Sequence, residues 1–181
     1  MRLFTQKFKF SIRDLTIFSA LGTIMYLSRI IMQWIPNVHL LGLFIATFTL
    51  TYRVRALIPI YVYILLEGAL SGFAIWWIPY LYIWLPLWAV FMLAGRLRLE
   101  ITKNIKTLIY MSLCAFHGLL FGVLYAPFQA LMLGLSLDGM MAWIISGLPF
   151  DIIHAVCNFS AGALVAPLSA LLKKLYAGTI R

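Results

Sequence analysis

Residues 79–95, PYLYIWLPLWAVFMLAG, run for seventeen positions without a charged side chain, and Arg96 closes the run. A helix of that length rises about 25 Å at 1.5 Å per residue, close to the ~30 Å hydrocarbon core of a bilayer. Inside hydrocarbon a backbone finds hydrogen-bond partners only within its own helix, so the run reads as a membrane-spanning helix. Five further apolar runs flank it. The predicted spans are Leu15–Gln33, Val38–Tyr52, Ala56–Phe73, Pro79–Gly95, Thr107–Leu133 and Met140–Leu172, which makes residues 1–181 a single all-α, six-helix transmembrane domain.

Composition agrees with that reading. Of 181 residues, 64% are hydrophobic and only 10% charged, too few to solvate the surface of a soluble domain of this size. Fourteen Lys and Arg stand against five Asp and Glu. Such a surplus would suggest nucleic acid if the cations formed one exposed face. Instead they fall in alternate connections: Arg2, Lys7, Lys9 and Arg13 before the first span, Arg53 and Arg55 after the second, Arg96, Arg98, Lys103 and Lys106 after the fourth, and Lys173, Lys174 and Arg181 after the last. Short cytoplasmic connections retain Lys and Arg, so both termini are predicted to be cytoplasmic in a multi-pass membrane protein. Only Arg29 stands apart. Residues 1–13, where Phe4, Phe8 and Phe10 alternate with Lys7 and Lys9, suit a cytoplasmic interfacial lead-in. No small-residue cleavage site follows a short apolar core, so the first span is read as mature protein.

Several chemistries find no support. Cys114 and Cys157 lie in apolar stretches without Cys-x-x-Cys spacing and read as small buried residues. No Gly-x-x-x-x-Gly-Lys-Ser/Thr loop is present, so ATP-driven work would need a partner. Pro59, Pro86, Pro127, Pro149 and Pro167 inside the spans favour kinked helices, and Gly68-x-x-x-Gly72 and Gly118-x-x-x-Gly122 offer close helix contacts. Trp34-Ile35-Pro36 and Trp77-Ile78-Pro79 echo each other at two outer connections.

The spans also hold groups that a bilayer disfavours. An ionisable side chain at mid-bilayer costs about 2.5–3.5 kcal/mol on insertion scales, so each one needs a partner or water. Glu67 lies in the outer half of the third span, His117 in the fifth, and Asp151, His154 and Asn158 along the sixth, where steps of three and four residues put them on one face. Glu67 is at a depth to pair with Arg29. For the stripe on the sixth span, a wet cavity and an interhelical hydrogen-bonded clasp both remain open. A metal site would need Asp151 and His154 to meet His117, and none is predicted. Trp34, Trp76, Trp77, Tyr80, Tyr82, Trp84, Tyr125 and Trp143 crowd the outer third, whereas an aromatic belt would decorate both interfaces. Some of these rings are expected to line an outward pocket suited to a planar ligand, with Asn37, His39 and Gln129 at its rim.

Six spans in 181 residues, no ATPase motif, and the stretch Gly147-Leu148-Pro149-Phe150-Asp151-Ile152-Ile153-His154 together resemble the substrate-binding S component of an energy-coupling factor (ECF) vitamin transporter. The resemblance implies capture of a water-soluble vitamin or related ring-containing micronutrient from outside. It also implies docking on a transmembrane scaffold subunit carrying two ATPase subunits, with no cofactor and no catalysis by this chain. The expected substrate-binding residues are His39, Glu67, Trp84, His117, Tyr125, Asp151, His154 and Asn158. The family's Ala-x-x-x-Ala docking motif is matched here only as Thr16-x-x-x-Ala20 and Ser19-x-x-x-Thr23, and Gly162 and Ala166 on the sixth span complete the expected docking surface. Two buried acids against one Arg favour a neutral or cationic ligand.

Other classes remain. A self-sufficient carrier or channel could relay protons through Glu, His and Asp. A rhomboid-like intramembrane protease would use Ser71, in Gly68-Ala69-Leu70-Ser71-Gly72, with His154 as base, although that spacing departs from Gly-x-Ser-Gly. A passive bundle would use the polar stripe only to hold helices together.

Overall fold

The computed structural model describes residues 11–97 and 101–178, and all regular structure among them is helical. Arg2, Lys7, Lys9, Arg98, Arg181 and the Phe4, Phe8 and Phe10 lead-in lie outside the described residues. The helices are α1 (Ile12–Met32), α2 (Leu41–Tyr52), α3 (Leu57–Ser71), α4 (Tyr80–Ile83), α5 (Leu85–Ala94), α6 (Lys103–Leu119), α7 (Phe121–Leu133), α8 (Leu137–Gly162) and α9 (Val165–Gly178). Five continuous helical stretches among them are long and apolar enough to cross a membrane: Ile12–Met32, Leu41–Ser71, Ile75–Ala94, Lys103–Leu133 and Leu137–Gly162.

Local chemistry sets the helix ends. Ser11 accepts the Asp14 N–H while the Asp14 carboxylate takes the Ser11 N–H, a reciprocal cap that starts α1. Ser136 caps α8 through the Gly139 N–H at 3.1 Å, and Gly134, at φ 62°, ends α7 in the left-handed region that glycine enters without a Cβ penalty.

The predicted second and third spans form one helical stretch that doubles back on itself. Arg53 sits at φ 58°, ψ −124°, followed by a single turn of 3₁₀ helix at Arg53–Ala56. Before it, α2 starts beside the cavity that Arg29 and His39 share and ends with Tyr52 edge-on to Phe18, ring centres 5.2 Å apart. After it, α3 returns along α1, with Gly22 against Pro59 and Val62, and Glu67 paired with Arg29. Twelve residues make α2 about 18 Å long, too short to cross the ~30 Å core. It is nonetheless the most enclosed helix, and ten of its residues are buried against α5, α6, α8 and α9. The predicted fifth span is divided into α6 and α7 at Leu120, and the predicted sixth into α8 and α9 after Gly162.

The bundle is apolar outside and partly polar within. On α8, Asp151, His154, Asn158 and Gly162 are buried while Ile145, Ile152, Val156 and Phe159 are exposed, the inverse of a soluble amphipathic helix. Two glycines bring α6 and α8 close. A Cβ on Gly118 would lie 3.0 Å from the backbone of Ala155, and one on Gly162 would lie 2.6 Å from the Met111 Cα.

At one end, α1, the turn after α2 and α9 are tied together. The Tyr176 hydroxyl donates to Asp14 Oδ1 at 2.8 Å, and Arg55 lies 3.8 Å from Asp14 Oδ2 and 3.3 Å from the Tyr176 oxygen. Arg53, Lys103, Lys106 and Lys173 share a cavity at the helix ends that carry this cluster. The Arg29–Glu67 pair marks the opposite end of α1 and α3.

Candidate functional site

All three histidines of the chain gather around Trp84. His39 comes from the segment before α2, Trp84 from the break between α4 and α5, His117 from the last turn of α6, and His154 from the middle of α8. The His39 and His154 rings meet edge to face at 4.4 Å between centres; Trp84 lies 6.2 Å from His39 and 5.7 Å from His117; Phe121, opening α7, lies 5.2 Å from His154. Trp84 and His154 are each 1% exposed. Residues separated by more than a hundred positions in sequence therefore share one small volume.

Their hydrogen-bonding capacity is largely unused. His39 Nδ1, Trp84 Nε1, His117 Nδ1, His154 Nε2 and both polar atoms of the Asn158 amide have no hydrogen-bond partner among the described residues. Buried polar atoms are paired in the great majority of cases, and each unpaired one costs about 1–3 kcal/mol. Such a cluster is a place where ordered water or a polar solute can be held. His117 shows how one member is oriented. Its Nε2 lies 2.7 Å from the Ile83 carbonyl oxygen, so in the neutral ring Nε2 bears the hydrogen and Nδ1 is left as an acceptor.

Two cavities open beside this cluster. The smaller, about 160 Å³, is lined by Arg29, Gln33, Asn37, His39, Tyr80, Phe121 and His154 among others. Residues between the end of α1 and the start of α2, from Gln33 to His39, supply most of its lining. The larger, about 570 Å³, is lined by Trp76, Tyr80, Phe121, Tyr125, Gln129 and Trp143. Tyr80 and Phe121 border both. In the larger one Tyr125 and Trp143 stack at 12° between planes with centres 5.8 Å apart, and the Tyr125 hydroxyl donates to the Trp76 carbonyl at 2.6 Å, fixing that wall. The other polar groups of the smaller cavity include the only close acid–base pair at this end among the described residues, Arg29 Nη2 to Glu67 Oε1 at 3.1 Å with Glu67 fully buried.

The expected substrate residues thus fall into three settings. His39 and His154 line the smaller cavity, and Tyr125 lines the larger. Glu67 pairs with Arg29, while Trp84 and His117 pack ring against ring at 5.7 Å, outside the lining of both cavities. Asp151 and Asn158 line neither cavity. Asp151 Oδ2 accepts the Gly122 N–H at 3.0 Å and clasps α7 to α8, and the Asn158 side chain lies flat on Gly42, where a Cβ would come within 2.7 Å of its oxygen. Of the expected docking residues, Thr16, Ser19, Ala20 and Thr23 are exposed along α1, Gly162 faces inward onto Met111, and Ala166 lines the basic cavity at the opposite end. Ser71 stands exposed at the end of α3 with Glu67 as its polar neighbour. Phe121 and Gln33 were not expected at the site. Their only sequence signal was position, Phe121 between Gly118 and Gly122 and Gln33 at the end of the first span.

Comparison of the chain with protein-family models, with curated proteins and with solved structures found no match.

Proposed function

We propose that the chain is a membrane-embedded solute-binding subunit of the ECF S-component type, which captures a water-soluble, ring-containing micronutrient from outside and works with a transmembrane scaffold and two ATPase subunits. On this reading it crosses the plasma membrane six times with cytoplasmic termini. The reversal at Arg53 supports six passes from five helical stretches, the short α2 sharing its pass with the non-helical residues 33–40 before it, and the gathering of Arg53, Lys103, Lys106 and Lys173 at one end supports placing that end in the cytoplasm.

The observation that carries the proposal is the set of unpartnered buried donors and acceptors around Trp84, next to two cavities at the opposite end from the lysines. His39 and His154 bring unpartnered ring nitrogens to the smaller cavity, which suits a heterocycle with donor and acceptor edges, while Trp76, Phe121, Tyr125 and Trp143 supply flat faces in the larger. Because Arg29 and Glu67 neutralise each other, the pocket favours a neutral or weakly cationic solute. No energy source resides in the chain.

Uptake tests the partnership. The purified chain alone in liposomes is expected to bind solute but not accumulate it, and accumulation is expected to require co-reconstituted scaffold and ATPase subunits and hydrolysable ATP. Concentrative uptake by the chain alone, driven by a proton gradient, would instead make it a secondary carrier.

A further inference from the structure

The opposite end holds a second built cavity. It has a volume of about 630 Å³ and lies among the ends of α2, α5 and α6 and the face of α9, with Arg53, Lys103, Lys106 and Lys173 on its walls. No carboxylate lines it among the described residues. Lys103 is the first residue of α6, so the positive end of a 17-residue helix adds to the four cations. Partial desolvation against the cavity wall, followed by the nearby charges of Lys106 and Arg53, lowers the Lys173 ammonium from its ordinary range although the side chain reaches solvent. The cations repel one another here, and a bound anion would relieve that repulsion.

The cavity does not end at the charges. Ala94, Leu97, Lys106 and Tyr110 also line an apolar groove of about 270 Å³ between α5 and α6, with Val90, Leu93, Ile109 and Leu113. Val90 and Leu113 in turn border a crevice of about 90 Å³ that reaches Phe116 and ends against His117. From Lys106 to Phe116 the seam climbs ten residues of α6, about 15 Å at 1.5 Å per residue. That equals one leaflet of a hydrocarbon core of about 30 Å. Lys106, 6.0 Å from the centre of the Tyr110 ring, stands where the charged cavity becomes the apolar seam.

We propose that this cavity and seam form a binding site for one anionic phospholipid, its phosphodiester held by Arg53, Lys103, Lys106 and Lys173 and one acyl chain lying between α5 and α6. The site needs only that the chain be membrane-embedded, and it is independent of which solute binds at the other end. A free anion would use the cations but not the groove, and an apolar partner helix would use the groove but not the cations. A phospholipid of the inner leaflet uses both.

Native mass spectrometry of the full chain in a neutral detergent tests this. The probes are palmitoyl-oleoyl phosphatidylglycerol, the phosphatidylcholine with the same chains, glycerol phosphate and a tetraglutamate peptide. Phosphatidylglycerol is expected to bind with one-to-one stoichiometry and to outcompete phosphatidylcholine. Lys106→Gln and Lys173→Gln are each expected to weaken it about fivefold. Lys174→Gln, on the exposed surface outside the cavity, is expected to leave it unchanged. Val90→Trp, which fills the groove, is expected to weaken the lipid and leave glycerol phosphate unaffected. Thermal midpoints matching wild type certify that each variant is folded. Equal binding of the two lipids, equal loss with Lys174→Gln, glycerol phosphate competing as well as the lipid, or preference for the acidic peptide would each overturn the proposal.

Discussion

Arg29→Met is expected to destabilise the detergent-solubilised chain by about 3 kcal/mol, because it strands a fully buried carboxylate. Removing one partner of a buried ion pair costs about 3–5 kcal/mol, and the low end applies since Arg29 keeps 31% of its side chain exposed. The pair itself adds little net stability, since desolvation offsets most of the attraction. The double variant Arg29→Met, Glu67→Met is therefore expected to recover most of the loss. Unfolding curves of the single and double variants, followed by circular dichroism under the same detergent conditions, measure both effects. Equal instability of the two would mean that Arg29 acts through packing and not through Glu67.

The second large effect is expected from Gly162→Val. The added carbon would meet the Met111 backbone, which cannot rotate away as a side chain would, so α8 must move off α6. Overpacking of this kind costs about 1–3 kcal/mol, and backbone contact places it at the upper end. The consequence should travel, since Asn158 and His154 lie one and two turns away on the same face of α8. Gly162→Ala is expected to be milder and Ser160→Val, on the exposed side of α8, near neutral. Thermal midpoints in that order support the close α6 and α8 contact; a Gly162→Val midpoint equal to wild type would exclude it.

Much of the architecture was legible in the sequence because hydrophobic runs and charge placement are one-dimensional signals. The 79–95 run, the Asp151–His154–Asn158 face and the depth match of Arg29 with Glu67 could be read from spacing alone, and the structure shows α5, the buried stripe of α8 and the 3.1 Å ion pair where they were expected. What spacing could not reveal was set by tertiary contact. The start of α2 at Leu41 instead of Val38 leaves Val38 and His39 in the connection that lines the smaller cavity. Likewise, nothing in the sequence distinguishes a carboxylate that clasps a neighbouring backbone from one that faces a solute. Helical periodicity puts Asp151 on one face with His154, and only the fold shows that its Oδ2 accepts the Gly122 N–H. Phe121 had no signal because an aromatic residue in an apolar span is unremarkable until two cavities share it as a border.

The most direct measurement is mass spectrometry of small molecules retained by the chain after gentle purification, for wild type and for His39→Leu and His154→Leu. These two side chains line the smaller cavity and carry unpartnered nitrogens. Wild type is expected to release a ring-containing solute in near-stoichiometric amount, and both variants, with thermal midpoints close to wild type, are expected to release at least tenfold less. No retained solute in wild type, or the same amount from all three proteins, would contradict a solute site at the histidine cluster and leave the buried polar groups with a purely structural role.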